Sequence, residues 1–167
     1  MLEIMILYTL SECEFTMYYL SKVIKENFGD FSKPSIGAIK PALTKLESAG
    51  FIKSRKTFSE GGKQTGYYSI TKIGKTALKD LLLEKFSDNP IQFKNNAMVR
   101  IIACEMLSND EKKEVFNIIK FQVEKFKLDA EKRLEKNTNL NPSQRILVDN
   151  LILEYSNFLK IINKLGE

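Results

Sequence analysis

Apolar side chains recur every three or four residues along most of the chain, which is the spacing of one buried face of an α-helix. The pattern predicts seven helices, over about residues 1–11, 16–28, 35–49, 72–86, 97–107, 108–137 and 142–165. Thr16, Ser35 and Thr71 stand at the start of three of them. Hydroxyl side chains are favoured there because they accept a hydrogen bond from a free backbone N–H. The chain is therefore predicted to be mainly α-helical.

Two short segments have the alternating pattern of β-strands instead. They cover residues 51–58 and 66–71, and the second contains Tyr67, Tyr68 and Ile70. The seven residues between them include two adjacent glycines, which suits the tip of a hairpin. The first half of the chain is therefore predicted to run helix, helix, helix, strand, strand, helix.

This order of elements is that of a winged helix-turn-helix domain. A helix fits the major groove of DNA, where base edges present a distinguishable pattern, and a basic hairpin beside it reaches the neighbouring backbone or minor groove. The third helix begins with small residues that allow a close approach of its backbone, and its N-terminal amides suit a phosphate. The candidate DNA-binding residues of this helix and the hairpin are Ser35, Gly37, Ala38, Lys40, Thr44, Lys45, Arg55, Lys63, Gln64 and Thr65.

The charge distribution supports a polyanionic partner for this half. The whole chain has a net charge of +5, whereas residues 31–75 alone contain nine basic and two acidic residues, a net charge of +7. A concentrated positive field attracts nucleic acid. A solvated basic surface without a ligand is the alternative reading of the charge alone.

A polar stretch with Pro90 interrupts the helical pattern at residues 87–96. Such a stretch favours a break between units of structure. We predict a winged-helix DNA-binding domain over 1–86, a linker over 87–96 and a helical dimerisation domain over 97–167.

The last two helices carry the spacing of a coiled-coil seam. Apolar residues alternate at intervals of three and four along both helices, and further apolar residues lie off the seam, so one partner helix would not cover them all. We expect a second copy of the chain to do so, in an antiparallel or coiled-coil-like arrangement; packing against the chain's own first half is the alternative. The predicted dimer-interface residues are Phe116, Ile119, Val123, Phe126, Val148, Leu151, Tyr155, Phe158, Ile162 and Leu165.

Several classes of function are disfavoured by residues that the sequence lacks. Histidine, the commonest general base and metal ligand, is absent, and no phosphate-binding glycine motif occurs. We therefore expect no enzyme activity, no metal and no cofactor.

The two cysteines, Cys13 and Cys104, form no paired motif. No apolar run is long enough to cross a bilayer, so no membrane association and a cytoplasmic location are expected.

The stretch from Ser35 to Ile52 resembles the recognition-helix pattern of the PadR family of transcription regulators, in the longer type with a helical C-terminal region. The family's Tyr-Pro pair is here Lys40-Pro41, and the resemblance accounts for a proline that otherwise interrupts a predicted helix. Residues 62–74 are similar to the family's wing and the helix start after it. The resemblance implies DNA contact at the positions of Tyr18, Ser35, Gly37, Lys40, Lys45 and Lys63.

These observations lead to one main hypothesis and one alternative. We expect a homodimer that binds a double-stranded operator with inverted half-sites and represses transcription. The family resemblance implies relief by a small hydrophobic or phenolic effector. The alternative is a winged-helix module that binds another protein through its apolar helices and binds no DNA.

Overall fold

A computed structural model describes residues 1–58, 64–136 and 139–166. The elements in chain order are α1 (Leu2–Glu12), β1 (Phe15–Thr16), α2 (Met17–Phe28), α3 (Ile36–Ser48), β2 (Ile52–Phe58), β3 (Gln64–Ile70), α4 (Lys72–Leu83), α5 (Pro90–Ala103), a short 3-10 turn (Cys104–Met106), α6 (Asn109–Lys136) and α7 (Pro142–Gly166). The predicted mainly helical fold with a small sheet is confirmed.

The first half of the chain forms the predicted winged helix. α1 is buried along most of its length and packs against α2, α3 and α4. The sheet has the order β1-β3-β2 and is antiparallel throughout. β1 was not predicted, because a two-residue strand is too short to show an alternating pattern. β2 and β3 are paired from Ile52–Ile70 at the base to Phe58–Gln64 near the tip.

The helix starts follow the predicted caps. Thr16 accepts a hydrogen bond from the N–H of Tyr19 at 3.3 Å, and Ser35 accepts one from the N–H of Ala38 at 3.2 Å. α3 runs without interruption through Pro41. This proline lies on the exposed surface, where the carbonyl left without an N–H partner remains accessible to water.

A tight junction joins the end of α3 to the start of α4. Gly50 has a φ of 73°, the left-handed conformation that ends helices and favours glycine. The Thr71 hydroxyl donates to the Gly50 carbonyl at 2.7 Å and accepts from the N–H of Gly74 at 3.0 Å. Gly74 lies so close to the Phe51 carbonyl that a Cβ there would approach its oxygen to 1.9 Å. The wing is thereby tied to the helices at its base.

The second half of the chain is a three-helix unit. α5 begins at Pro90, so the predicted linker over 87–96 is partly helical. Asn89 caps α5 by accepting from the N–H groups of Ile91 and Gln92, and proline is favourable in the first helical turn. α6 and α7 then form an antiparallel hairpin: Phe126 stacks on Tyr155 in its middle.

The predicted dimer seam lies mostly inside the protomer. α6 and α7 pack their apolar faces on each other and on α5, in one core that is continuous with that of the winged helix. A second copy is therefore not required to cover these side chains. The spacing of apolar residues indicates that a helix face is buried, but it does not indicate which element covers that face. The buried members are Phe116, Ile119, Val123, Phe126, Val148, Phe158 and Ile162. Tyr155 is partly buried, and Leu151 and Leu165 are exposed.

A buried arginine joins the two halves. The guanidinium of Arg100 on α5 donates to the carbonyls of Leu82 and Glu84 at the end of α4. It also lies 4.0 Å from the ring centre of Phe86, a cation–π contact. Burial lowers the pKa of Arg100 to about 10, so the side chain is still charged at neutral pH. The carbonyls and the ring therefore replace the water that this charge loses.

Two features are absent from the described residues. No helix among them combines the length and the low charge needed to cross a bilayer. The same ranges contain no group of three or more acidic or cysteine side chains placed to bind a metal ion.

Candidate nucleic-acid interface

The outer face of α3 is an exposed helical surface with small and basic side chains. Ile39, Leu43 and Leu46 point into the core and leave the opposite face open. At 100° per residue, small side chains occupy the centre of that face and lysines its flanks. The exposed predicted contacts on α3 and its cap are Ser35, Gly37, Ala38, Lys40, Thr44 and Lys45. The structure thus brings six of the predicted residues together on one surface.

Lys40 is the basic residue of this face that is most available to a ligand. It is exposed, and it forms no ion pair with any residue of the described ranges. The hydroxyl of Thr44 donates to the carbonyl of Lys40 at 3.2 Å, so Thr44 still has lone pairs that can accept a hydrogen bond. The pair presents a cation and a hydroxyl on successive turns.

Lys45 is engaged within the chain. Its ammonium lies 2.7 Å from a carboxylate oxygen of Glu3 on α1, and the hydrogen bond to Glu3 raises the pKa of Lys45. The Lys45 side chain is 75% exposed, so the ion pair is screened by water. A phosphate would have to compete with Glu3 for this lysine.

Arg55 is paired in a similar way, and it lies on the opposite face of β2 from Ser54. Its guanidinium forms a two-bond salt bridge with Glu14, including an Nε–Oε2 distance of 2.9 Å, and covers the Tyr67 ring. The hydrogen bond from Arg55 lowers the pKa of Glu14. Ser54 instead donates through both its N–H and its hydroxyl to Glu47 of α3. Arg55 therefore faces away from the α3 side of the sheet.

The remaining predicted contacts flank α3. Tyr18 is 70% exposed at the start of α2, and its ring packs edge-on against Tyr19. Gln64 is exposed and Thr65 partly exposed at the start of β3. Lys63 lies outside the described residues.

The two carboxylates that pair with Lys45 and Arg55 were not predicted. Glu3 and Glu14 lie 42 and 41 residues from their partners, so no local spacing links them.

A second surface feature is an apolar cavity between α5 and α7. It has a volume of about 470 Å³, and its walls include Ile91, Phe93, Met98, Tyr155 and Phe158. Lys94 and Glu154 form an ion pair at 3.0 Å among the residues that line it. The cavity therefore combines aromatic and aliphatic walls with one charged pair, as small-molecule sites do.

Comparison with known proteins agrees with this architecture. Residues 6–80, which cover most of the winged helix, match the Transcriptional regulator PadR-like family. Over this stretch the chain is similar to that family. The negative transcriptional regulator PadR of Bacillus subtilis (strain 168) is 30% identical over 115 residues, which are 69% of this chain and 63% of that protein. Family members are described as transcriptional regulators and not as enzymes.

A solved structure extends the likeness of this PadR-like chain beyond the winged helix. The Bacillus subtilis PadR in complex with operator DNA is 23% identical, with a TM-score of 0.50, and the match covers 99% of this chain and 97% of that one. At this identity the match concerns the fold, which includes the C-terminal helices. The same regulator has been solved with p-coumaric acid, at 22% identity, 99% and 92% coverage and a TM-score of 0.43.

Proposed function

We propose that this PadR-like chain is a sequence-specific DNA-binding transcriptional regulator that places α3 in the major groove. The observation that carries the proposal is the open face of α3, with small residues at its centre and Lys40 beside it. A groove about 12 Å wide admits a helix of this kind. The operator-bound PadR is a relative of the same fold, and the family supports repression as the outcome.

Genomic footprinting of the purified chain tests this proposal. We expect protected sites with inverted half-sites about one DNA turn apart. Affinity for such a site should exceed affinity for a random duplex and fall steeply as salt rises from about 50 to 200 mM. Binding to no duplex, or equal binding to every sequence, would contradict the proposal. The first of these results would favour a winged-helix module that binds protein.

We further propose that the chain acts as a homodimer through an exposed surface of α7 that shares only Leu151 and Leu165 with the predicted seam. An apolar stripe remains exposed on α7, at about 220–300° around the helix relative to buried Val148. A contiguous exposed apolar patch is typical of an interaction site. The stripe consists of Leu147, Leu151, Ile161 and Leu165, and Ile91 of α5 lies beside it. A second copy seated there would pair two α3 helices on one operator.

A small apolar effector in the α5–α7 cavity completes the proposed function. A volume of about 470 Å³ suits a small aromatic or aliphatic molecule. Its wall residue Phe93 packs edge-on against Phe86, with ring centres 4.8 Å apart, and Phe86 covers Arg100. The contacts from Phe93 through Phe86 to Arg100 thus connect the cavity wall to the end of α4.

A further inference from the structure

The α5–α7 cavity opens onto the apolar stripe of α7. Its inner walls include two buried rings, since Phe93 is 1% exposed and Phe158 is 7% exposed. Its rim is formed by exposed aliphatic side chains, Ile91, Leu151 and Ile161. These three residues also belong to the stripe or lie beside it. The surface proposed for the second copy therefore passes over the mouth of the cavity.

The geometry of α7 places the cavity wall and the stripe on one face of the helix. At 100° per residue, the residues of α7 that line the cavity lie at about 180–340° relative to Val148, and the stripe lies at about 220–300°. Leu147 and Leu165 extend this face toward the two ends of α7, and neither of them lines the cavity. A surface that covers the stripe must therefore cover the cavity as well.

The charges at the rim are compatible with burial under a second copy. Lys94 and Glu154 are the charged residues among those that line the cavity, and they form an ion pair at 3.0 Å. The amide of Asn150 donates to the other carboxylate oxygen of Glu154 at 2.9 Å. Because each charge already has a partner, the covering surface need not supply a counter-charge. The apolar stripe of a second copy, related by a twofold axis, meets this requirement.

We infer that a second copy of the chain forms the outer wall of the α5–α7 cavity, an inference that rests on the proposed function. In a single protomer the outer side of an apolar ligand stays in water, whereas in the dimer the partner covers it. Covering about 50 Å² of apolar ligand surface corresponds to about a tenfold gain in affinity. By reciprocity, each bound ligand strengthens the dimer by the same factor. The ligand of this cavity therefore tightens the dimer and does not dissociate it.

Sedimentation velocity over a range of protein concentrations, with and without an uncharged apolar dye, tests this coupling. The probe is N-phenyl-1-naphthylamine, whose rings suit an apolar cavity of about 470 Å³ and whose fluorescence rises in apolar surroundings. We expect one dye per chain and a dimer dissociation constant that falls about tenfold for each bound dye. The dye should also bind more tightly at protein concentrations above that constant than below it.

Two variants separate the cavity from the interface. Met98→Trp fills the cavity and should abolish dye binding. Its control is Ile118→Trp, in a groove beside α6 that no residue of the stripe lines, and this variant should behave as wild type. Leu147→Glu disrupts the stripe without changing the cavity lining. The dye should then bind about tenfold more weakly at every protein concentration, whereas Leu153→Glu, on the other side of α7, should bind it as wild type.

The outcomes distinguish this coupling from the proposed function. If the chain dimerises and binds the dye, but the dye leaves the dimer dissociation constant unchanged or raises it, the partner does not close the cavity. The proposed dimer and effector site would then both stand. A dye effect that persists in Met98→Trp and disappears in Ile118→Trp would also overturn the coupling.

Two further results would reach the proposed function itself. A chain that stays monomeric contradicts the proposed dimer, and a chain that binds no dye contradicts the proposed effector site. The coupling fails in either case, while DNA binding by α3 is unaffected. Circular dichroism of each variant verifies that the fold is retained.

Discussion

At the scale of single residues, the two cysteines occupy opposite environments. Cys13 is exposed, whereas Cys104 is buried and burial raises its pKa to about 11. Because the thiolate is the reactive form, one thiol per chain should react quickly with a disulfide reagent at pH 8. The second should react only after unfolding in denaturant. Cys13→Ser should remove the fast phase; two fast thiols in the wild type would contradict the burial of Cys104.

Gly74 and Gly66 have different structural roles. A Cβ at Gly74 would lie 1.9 Å from the Phe51 carbonyl oxygen, whereas one at Gly66 meets nothing within 4 Å. Gly74→Ala should therefore lower the free energy of unfolding by about 1–3 kcal/mol. Gly66→Ala is the matched control and should be neutral or slightly stabilising, since glycine weakens a strand. Urea denaturation measures both, and equal stabilities would refute the close packing at Gly74.

At the scale of elements, the ion pair between α1 and α3 controls the availability of Lys45. Glu3→Gln removes the carboxylate that holds Lys45 at 2.7 Å, so the lysine becomes free to contact a phosphate. We expect affinity for operator DNA to rise severalfold at low salt, with a steeper salt dependence. Gel-shift titration at two salt concentrations measures the effect. Weaker binding by Glu3→Gln would indicate that the ion pair positions α3 and does not compete with DNA.

The junction between α4 and α5 depends on one charged side chain. Arg100→Met would leave the carbonyls of Leu82 and Glu84 without their buried donor and lower stability by roughly 2–4 kcal/mol. Arg133→Met, on the exposed side of α6, is the control and should change little. Thermal unfolding followed by circular dichroism compares them. An unchanged melting temperature for Arg100→Met would show that the junction does not need this charge.

Local patterns predicted local structure well and its partners poorly. Thr16, Ser35 and Thr71 mark helix starts because a cap bonds residues only two or three positions away. The seam through Val148 and Phe158 was predicted to be covered by a second copy, whereas it is buried within the protomer. What covers it, α6 of the same chain, depends on contacts between distant residues. The pairing of Arg55 with Glu14 was missed for the same physical reason.

At the scale of the whole molecule, the proposed dimer depends on the apolar stripe of α7. Ile161→Glu should shift the chain toward monomer at micromolar concentration, because the interface would have to bury an unpaired charge. Leu153→Glu is the matched control: Leu153 is also exposed, and it projects about 140° from Val148, on the other side of the helix. Sedimentation velocity measures the state. A dimer that survives Ile161→Glu and dissociates with Leu153→Glu would place the interface on the opposite side.

The central claim is that the open face of α3 binds the DNA groove, and paired lysine variants test it most directly. Lys40→Ala combined with Lys45→Ala should weaken operator binding at least about tenfold and lower the salt slope by about 1–2. Lys132→Ala combined with Lys160→Ala removes two exposed lysines from α6 and α7 and should leave the affinity within about twofold. If the α3 variant binds the operator with the affinity and salt slope of wild type, α3 is not the groove helix.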